Sequence, residues 1–199
     1  MTPRKYTKTK REAASEAIRQ RILRSTLALH SRKGIFGTSW KDIAQHADVS
    51  LATVYNYFPS LDELVPACGE LMYAIAQPPS LDDTDMIFAD ASTVEERTAS
   101  LVKTLFDFYE RGEPYLEIDH QERTLQSVQE WEAYLNSLIE GLPRIALKPI
   151  KPTKRTVETG SALLDVPVFL SFRRKGMSRL EIERMMNDLL LYWVVRSSN

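Results

Sequence analysis

The chain has 199 residues, 43% of them hydrophobic and 27% charged, with a formal net charge of −1. That length accommodates one large domain or a small domain joined to a medium one, and the apolar content suffices for a sizeable core. The single cysteine, Cys68, excludes an internal disulfide framework and fits a reducing compartment. The N-terminus lacks the apolar stretch of a secretory signal, and the longest apolar run, LLLYWVV at 189–195, is far shorter than a membrane span. A cytoplasmic protein with no membrane partner is expected.

The near-neutral charge hides an asymmetry. Residues 1–57 carry eleven Lys/Arg against four Asp/Glu, whereas the remainder carries fifteen against twenty-three. A basic head on an acidic body suggests that only the head meets a polyanion, although basic tails are often merely solvated.

No stretch alternates convincingly with period two, and apolar residues recur at helical spacing, so the expected fold is all-α. A first helix is expected over about 13–33, with Ala14, Ile18, Ile22, Ser25 and Leu29 as its stripe and Gly34 ending it. Ser39-x-x-Asp42 is a capping box opening a short second helix. Asp48 falls in a turn, and Ser50 caps a third helix that Pro59 closes off. Ser60-x-x-Glu63 opens a fourth, in which Pro66 is expected to make a bend. Residues 77–92, with two prolines and four aspartates, read as a linker. Further helices are expected over Thr93–Arg111, Gln121–Ile145, about 153–175 with Pro167 inside, and from Ser178-x-x-Glu181 to about Arg196.

The stretch SWKDIAQHADVSLATVYNYF at 39–58 places two very short helices on either side of a tight break. That is the pattern of a helix-turn-helix, whose second helix enters the major groove while flanking groups hold phosphates. Ser50, Leu51, Ala52 and Thr53 make a small N-terminal end that permits close approach, and Tyr55, Asn56 and Tyr57 add polar groups. Val54 and Phe58 read as apolar anchors. Leu51 suits a thymine methyl but donates no hydrogen bond.

The segment GIFGTSWKDIAQHADVSLATVYNYFPSLDEL at 34–64 resembles the TetR family of bacterial transcriptional regulators. The family pattern is Gly-aromatic-x-x-Thr-Ser/Thr, then Ile-Ala-x-x-Ala-Gly-Val-Ser-x-Gly-Thr-x-Tyr-x-His/Tyr-Phe, then Ser-Lys-x-x-Leu. With the first helix, the resemblance covers about the first third of the chain. It implies that Thr38 and Ser39 hold a phosphate and that Ser50, Leu51 and Thr53 form the start of a recognition helix. It further implies that Tyr55 and Tyr57 contact phosphate, and that Ile43, Ala44, Ala47, Val49, Val54 and Phe58 pack. Lys41 and Asn56 complete the expected DNA-binding set. Asp48 replaces the usual turn Gly, but Asp tolerates a left-handed backbone. Ala52 replaces a common Gly. Leu61 replaces the usual Lys at the start of helix four, which removes one phosphate contact unless Lys41 or the tail from Arg4 to Arg11 compensates.

The resemblance also implies the organisation of the whole. Residues 1–60 would form the helix-turn-helix domain, helix four (60–76) the connection, and 77–199 a regulatory domain for ligand binding and dimerisation. The implied partners are double-stranded DNA at a palindromic operator, a second copy of the chain and a small-molecule effector. Met185, Leu189 and Trp193 of the last helix, with Leu164, Val168 and Phe172 of the preceding one, are the expected dimer interface. Phe106, Tyr109, Trp131, Tyr134, Leu135 and Phe169 are the candidate effector site, though aromatics at helical spacing also build ordinary cores. Glu117, Asp119 and His120 near a helix break read either as a cation site or as a solvated helix end. No HExxH, GxSxG or phosphate-cradling glycine loop occurs, and no cofactor, metal or catalytic residue is expected. Two other readings are an all-α ligand-binding protein or enzyme whose head no longer reads DNA, and a DNA-binding adaptor acted on by a protein partner.

Overall fold

The computed structural model describes residues 4–197, and side chains from Lys10 to Val194. Every regular element in it is a helix. The chain divides into two compact units: a head formed by the chain up to Ala74 with Ile118–Ser127, and a body formed by Ile75–Glu117 and the chain from Val128 onward. Among the described residues no helix is long and apolar enough to cross a membrane.

The head contains α1 (Arg4–Lys33), α2 (Trp40–His46), α3 (Leu51–Tyr57) and most of α4 (Leu61–Ala76). Helix α1 begins nine residues before the expected start, because no breaker interrupts the polar stretch that precedes Ala13. Its buried face includes Ile22, Ser25 and Leu29 of the expected stripe, with Ile18 half-buried. Leu23, Thr26 and Leu27 are buried as well, whereas Ala14 is exposed. Helix α4 continues through Pro66, which lies exposed at its sixth position.

In the body, the stretch expected as a linker is ordered. Ser80 and Asp83 form a capping box over a 3₁₀ turn that leads into α5 (Thr84–Ile87), and Phe88 and Ala91 are buried. Helix α6 (Val94–Gly112) is the spine of this unit and packs against α5, α9 and α10. Two of its arginines close the ends of other helices. Arg97 donates to the carbonyls of Ile145 and Ala146 at the end of α7 (Gln126–Ala146), and its guanidinium lies 4.3 Å from the Phe88 ring centroid. Arg111 donates to the carbonyls of Ala76 and Gln77. Helix ends leave such carbonyls without internal partners, so these contacts satisfy groups that would otherwise need water.

The helix expected over 153–175 is two helices, α8 (Lys154–Leu163) and α9 (Val166–Arg174). The Asp165 carboxylate accepts from the Val166 N–H at 2.8 Å, and Pro167 lies in the first turn of α9. Proline lacks an N–H and is tolerated at a helix start, so here it helps to begin a helix. Helix α10 (Arg179–Ser197) opens on Ser178 and Glu181, whose side chains satisfy each other's backbone N–H. Arg179 pairs with Asp107 and Glu110 of α6 and with Glu183, fixing the start of α10 against the spine.

At the start of α6 the Glu96 carboxylate accepts from the backbone N–H groups of Thr93 and Ser92 and from the Ser92 hydroxyl, which hold its pKa down to about 2. The folded value lies below the ordinary 4.5. The contribution is therefore present above pH 4.5 and is lost as pH falls towards 2. Glu96→Gln is expected to flatten the acid limb of thermal stability in that window. Identical pH profiles for the two proteins, followed by circular dichroism, would refute this role.

Candidate nucleic-acid interface

Helices α2 and α3 each span seven residues, too few to persist alone in water. Each carries its own start signal. Ser39 accepts from the Asp42 N–H at 3.1 Å, and the Asp42 carboxylate accepts from the Ser39 N–H. Ser50 accepts from the Thr53 N–H at 3.0 Å, and the two hydroxyls lie 2.7 Å apart. Between the helices Asp48 adopts φ +51°, the left-handed conformation that the sequence demanded of it. Its carbonyl receives the Arg21 guanidinium from α1, and the Val49 N–H donates to the Ala44 carbonyl. The turn is thus held from both sides although it lacks glycine.

Burial sorts the residues of this motif by role. Ile43, Ala44, Ala47, Val54 and Phe58 are buried, and Val49 is half-buried. Leu51 and Tyr55 are each 42% exposed despite their size, and Ser50, Ala52 and Asn56 are exposed beside them. The Tyr55 ring lies against Trp40 of α2, with centroids 5.0 Å apart, so its position is set by a neighbouring helix. Thr53 and Tyr57 are half-buried, and the Tyr57 hydroxyl lies 2.8 Å from that of Ser15 on α1. On the preceding turn Ser39 and Lys41 are exposed, and the half-buried Thr38 donates its hydroxyl proton to the Gly34 carbonyl. Leu61 is half-buried. Of the tail invoked to replace its missing charge, the side chains of Arg4, Lys5 and Lys8 lie outside the described residues, while Lys10 and Arg11 are exposed. The structure therefore gathers a polar, partly apolar face on α3 with the start of α2 in one unit.

Residues 22–68 match the family described as bacterial regulatory proteins, tetR family. Residues 22–68 are thus a TetR-family segment. The chain is 44% identical over 62 residues to the HTH-type transcriptional repressor KstR of Mycolicibacterium smegmatis, covering 29% of this chain and 30% of that protein. It is 43% identical over 47 residues to the HTH-type transcriptional regulator LuxR of Vibrio harveyi, covering 24% of this chain and 23% of that one. The chain thus spans about a third or less of the curated relatives it matches. Beyond the head the likeness is one of fold. A crystal structure of the multidrug binding protein EbrR complexed with malachite green superposes with a TM-score of 0.51 at 20% identity, over 88% of this chain and 96% of that one.

The residues expected to act in the body are arranged differently from one another. Phe106, Tyr109 and Phe169 are fully buried and pack ring on ring, with centroids 5.1–5.8 Å apart. The Tyr109 hydroxyl donates to the Leu164 carbonyl, and burial raises its pKa. Trp131 and Tyr134 stack at 5.7 Å, and Phe108 meets Trp131 edge-on. Leu135 is buried. Leu164, expected at the dimer interface, has no exposed surface in this unit and offers none to a partner. On α10, Ile182, Met186, Leu190 and Val194 face inward, while Leu189 is 43% exposed, Tyr192 is exposed, and Met185 and Trp193 are half-buried. Val168 and Phe172 of α9 are also half-buried. Asp119 and His120 are exposed in the head segment, and Glu117 pairs with Arg174 in the body. Among the described residues no three His, Cys, Asp or Glu gather as a metal site.

One feature of the head had no signal in the sequence. Glu122, far along the chain, is buried there and accepts from the Ile35 N–H just after α1. His30 lies beside it. Burial lowers the His30 pKa to about 4 although Glu122 acts to raise it. A single acid in a polar loop looks solvated until the fold places it.

Asp48→Gly is expected to keep or raise the stability of the head, since glycine adopts positive φ without strain. Asp48→Val should lower it by about 1–2 kcal/mol. Denaturant midpoints decide this, and a valine variant as stable as the glycine variant would show that the turn is not strained.

Proposed function

We propose that this chain is a sequence-specific DNA-binding transcriptional regulator, acting as a homodimeric repressor that a small-molecule effector releases from a palindromic operator. The observation that carries the reading is the third helix. The apolar Val54 and Phe58 are buried, while Leu51 at its capped N-terminal end, and Tyr55 and Asn56 further along, stand exposed within the family's own segment. A recognition helix needs that division, because its N-terminal residues meet base edges while its other side docks on the domain. Ser39, Lys41, Tyr55 and Thr38 are the proposed phosphate-side groups, and Leu51 and Thr53 the proposed base-side groups. Tyr57 joins them once its hydroxyl leaves Ser15 or serves both.

Two kinds of observation support an effector and a second subunit. The solved EbrR structure contains malachite green, and its fold covers most of this chain. In the body, the indole N–H groups of Trp131 and Trp193 and Oδ1 of Asn187 are buried without a hydrogen-bond partner in the single chain. Buried polar groups of folded proteins are generally paired, and these three lie at or near the residues proposed for the effector site and the dimer face. Trp131 lies among the proposed effector residues Tyr134 and Leu135, with Phe106, Tyr109 and Phe169 as the wall behind. Trp193 accompanies Met185, Leu189, Val168 and Phe172 on the proposed dimer face. Effector binding would shift the population of dimers whose heads match the operator, and coupling of about 1–3 kcal/mol suffices for graded release. The function includes no catalysis, and its place is the cytoplasm.

Selection of bound sequences from a random duplex library, at near-physiological salt, is the test. A palindromic consensus is the expected result, and binding without consensus that vanishes as salt rises would reduce the head to a nonspecific polycation. Against the selected duplex, Thr53→Ala and Tyr55→Phe should each weaken binding about twofold to tenfold; unchanged affinity in both would remove them from the interface. Leu189→Arg should shift sedimentation from dimer to monomer, and a dimer that persists would place the interface elsewhere.

A further inference from the structure

The segment Ile118–Ser127 belongs to the head although it follows α4 by more than forty residues and continues directly into α7. Within it the side chains from Asp119 to Thr124 are exposed with one exception, Glu122, which is 7% exposed. Both oxygens of this carboxylate are used. Oε1 accepts from the Ile35 N–H at 2.6 Å, and Oε2 accepts from the Asp119 N–H at 3.0 Å. The first bond ties the segment to the turn between α1 and α2, and the second closes the segment on itself.

That turn is what delivers the start of α2. Gly34 adopts φ +73°, and a Cβ at this position would lie 2.9 Å from Glu122 Oε1, so the acid and the glycine are fitted to each other. The Thr38 hydroxyl donates to the Gly34 carbonyl at 2.8 Å and the Thr38 N–H to the Ile35 carbonyl at 3.2 Å. The chain therefore passes from the Glu122 anchor at Ile35 to Thr38, which is tied back to Gly34 and Ile35, and then to the Ser39 cap and Lys41 within a few residues.

We infer that Glu122 is a positioning residue for DNA binding: by accepting the Ile35 N–H it sets the α1–α2 turn so that Thr38, Ser39 and Lys41 meet the phosphate backbone. This rests on the regulator reading above. It deepens that reading by assigning a role to an acid from the chain between α6 and α7. The sign of the effect separates it from simple electrostatics. An acid in a head that meets a polyanion repels it, so charge alone makes removal of Glu122 strengthen binding. Positioning makes removal weaken it.

The experiment uses the full-length chain and the duplex selected for the wild type, with affinity measured across a series of salt concentrations. Glu122→Ala is expected to bind about tenfold more weakly, as loss of the acceptor for the half-buried Ile35 N–H lets the turn move. Glu122→Gln keeps an oxygen for the Ile35 N–H and loses the charge; it is expected to bind at least as tightly as the wild type. Lys41→Ala should lower the slope of log K against log salt by about one, the signature of one lost phosphate contact. Glu122→Ala should lower it likewise, and the double variant should lie no lower than either single variant, because both act on the same contact. A purely structural defect leaves that slope unmoved. Wild-type or tighter binding by Glu122→Ala overturns the inference, as does equal weakening in Glu122→Ala and Glu122→Gln. If Glu122→Ala loses its helical circular dichroism, Glu122→Asp takes its place, with the charge kept and the reach shortened; undiminished affinity there overturns the inference too. A wild-type chain that selects no duplex overturns the regulator reading and this one with it, whereas a selected consensus with indifferent Glu122 variants sinks only the latter.

Discussion

Two helices of seven residues cannot nucleate and persist on their own, and most of the proposed DNA-binding residues are carried on them or on their caps. They exist because Ile43, Ala44, Val54 and Phe58 are removed from water in the same compact unit as the buried face of α1. Burial of that kind is worth roughly 1.5–3 kcal/mol for each large aliphatic or aromatic side chain, more than any cap or surface pair supplies. Once those residues are committed inward, the remaining positions of α3 have only solvent or a partner to face. The exposure of Leu51 and Tyr55 follows from the anchoring of Val54 and Phe58.

The hydrogen bonds of the head then refine what burial establishes. Serine caps set where α2 and α3 begin, the Arg21 contact to the Asp48 carbonyl steadies the turn between them, and Glu122 holds the turn before them. The same division of labour recurs in the body. Aromatic residues of α6 and α9 fill the centre, and charged groups finish the edges, with Arg97 and Arg111 closing helix ends and Arg179 drawing α10 onto α6. Arginine suits these places because its planar fork reaches two acceptors at once while its stem lies along apolar surface.

Much of this was legible from local chemistry. Ser39 with Asp42 and Ser178 with Glu181 announce helix starts because a cap is completed within four residues of sequence. The left-handed turn at Asp48 was readable for the same reason: few residue types accept that backbone. Misreadings arose where one residue type serves opposite ends. The periodicity over 153–175 predicts one helix with Pro167 inside it, but Asp165 two residues earlier caps a new one, and proline is well tolerated in a first turn. The aspartates and prolines of 77–92 suggested a linker, yet Phe88 and Ala91 find burial and Asp83 completes a capping box. Leu164 looked like an outward residue of a stripe, and the break between α8 and α9 turned it fully inward.

The sequence by itself determined the all-helical character, most helix starts and the helix-turn-helix, since each depends on hydrophobic period or on hydrogen bonds between near neighbours. Tertiary structure alone decided which aromatics close on one another, which side of α10 remains uncovered, and that Glu122 belongs to the head. Those outcomes join residues tens of positions apart. No local pattern encodes such a pairing, because a carboxylate in a polar loop reads the same whether it ends in water or against the Ile35 N–H.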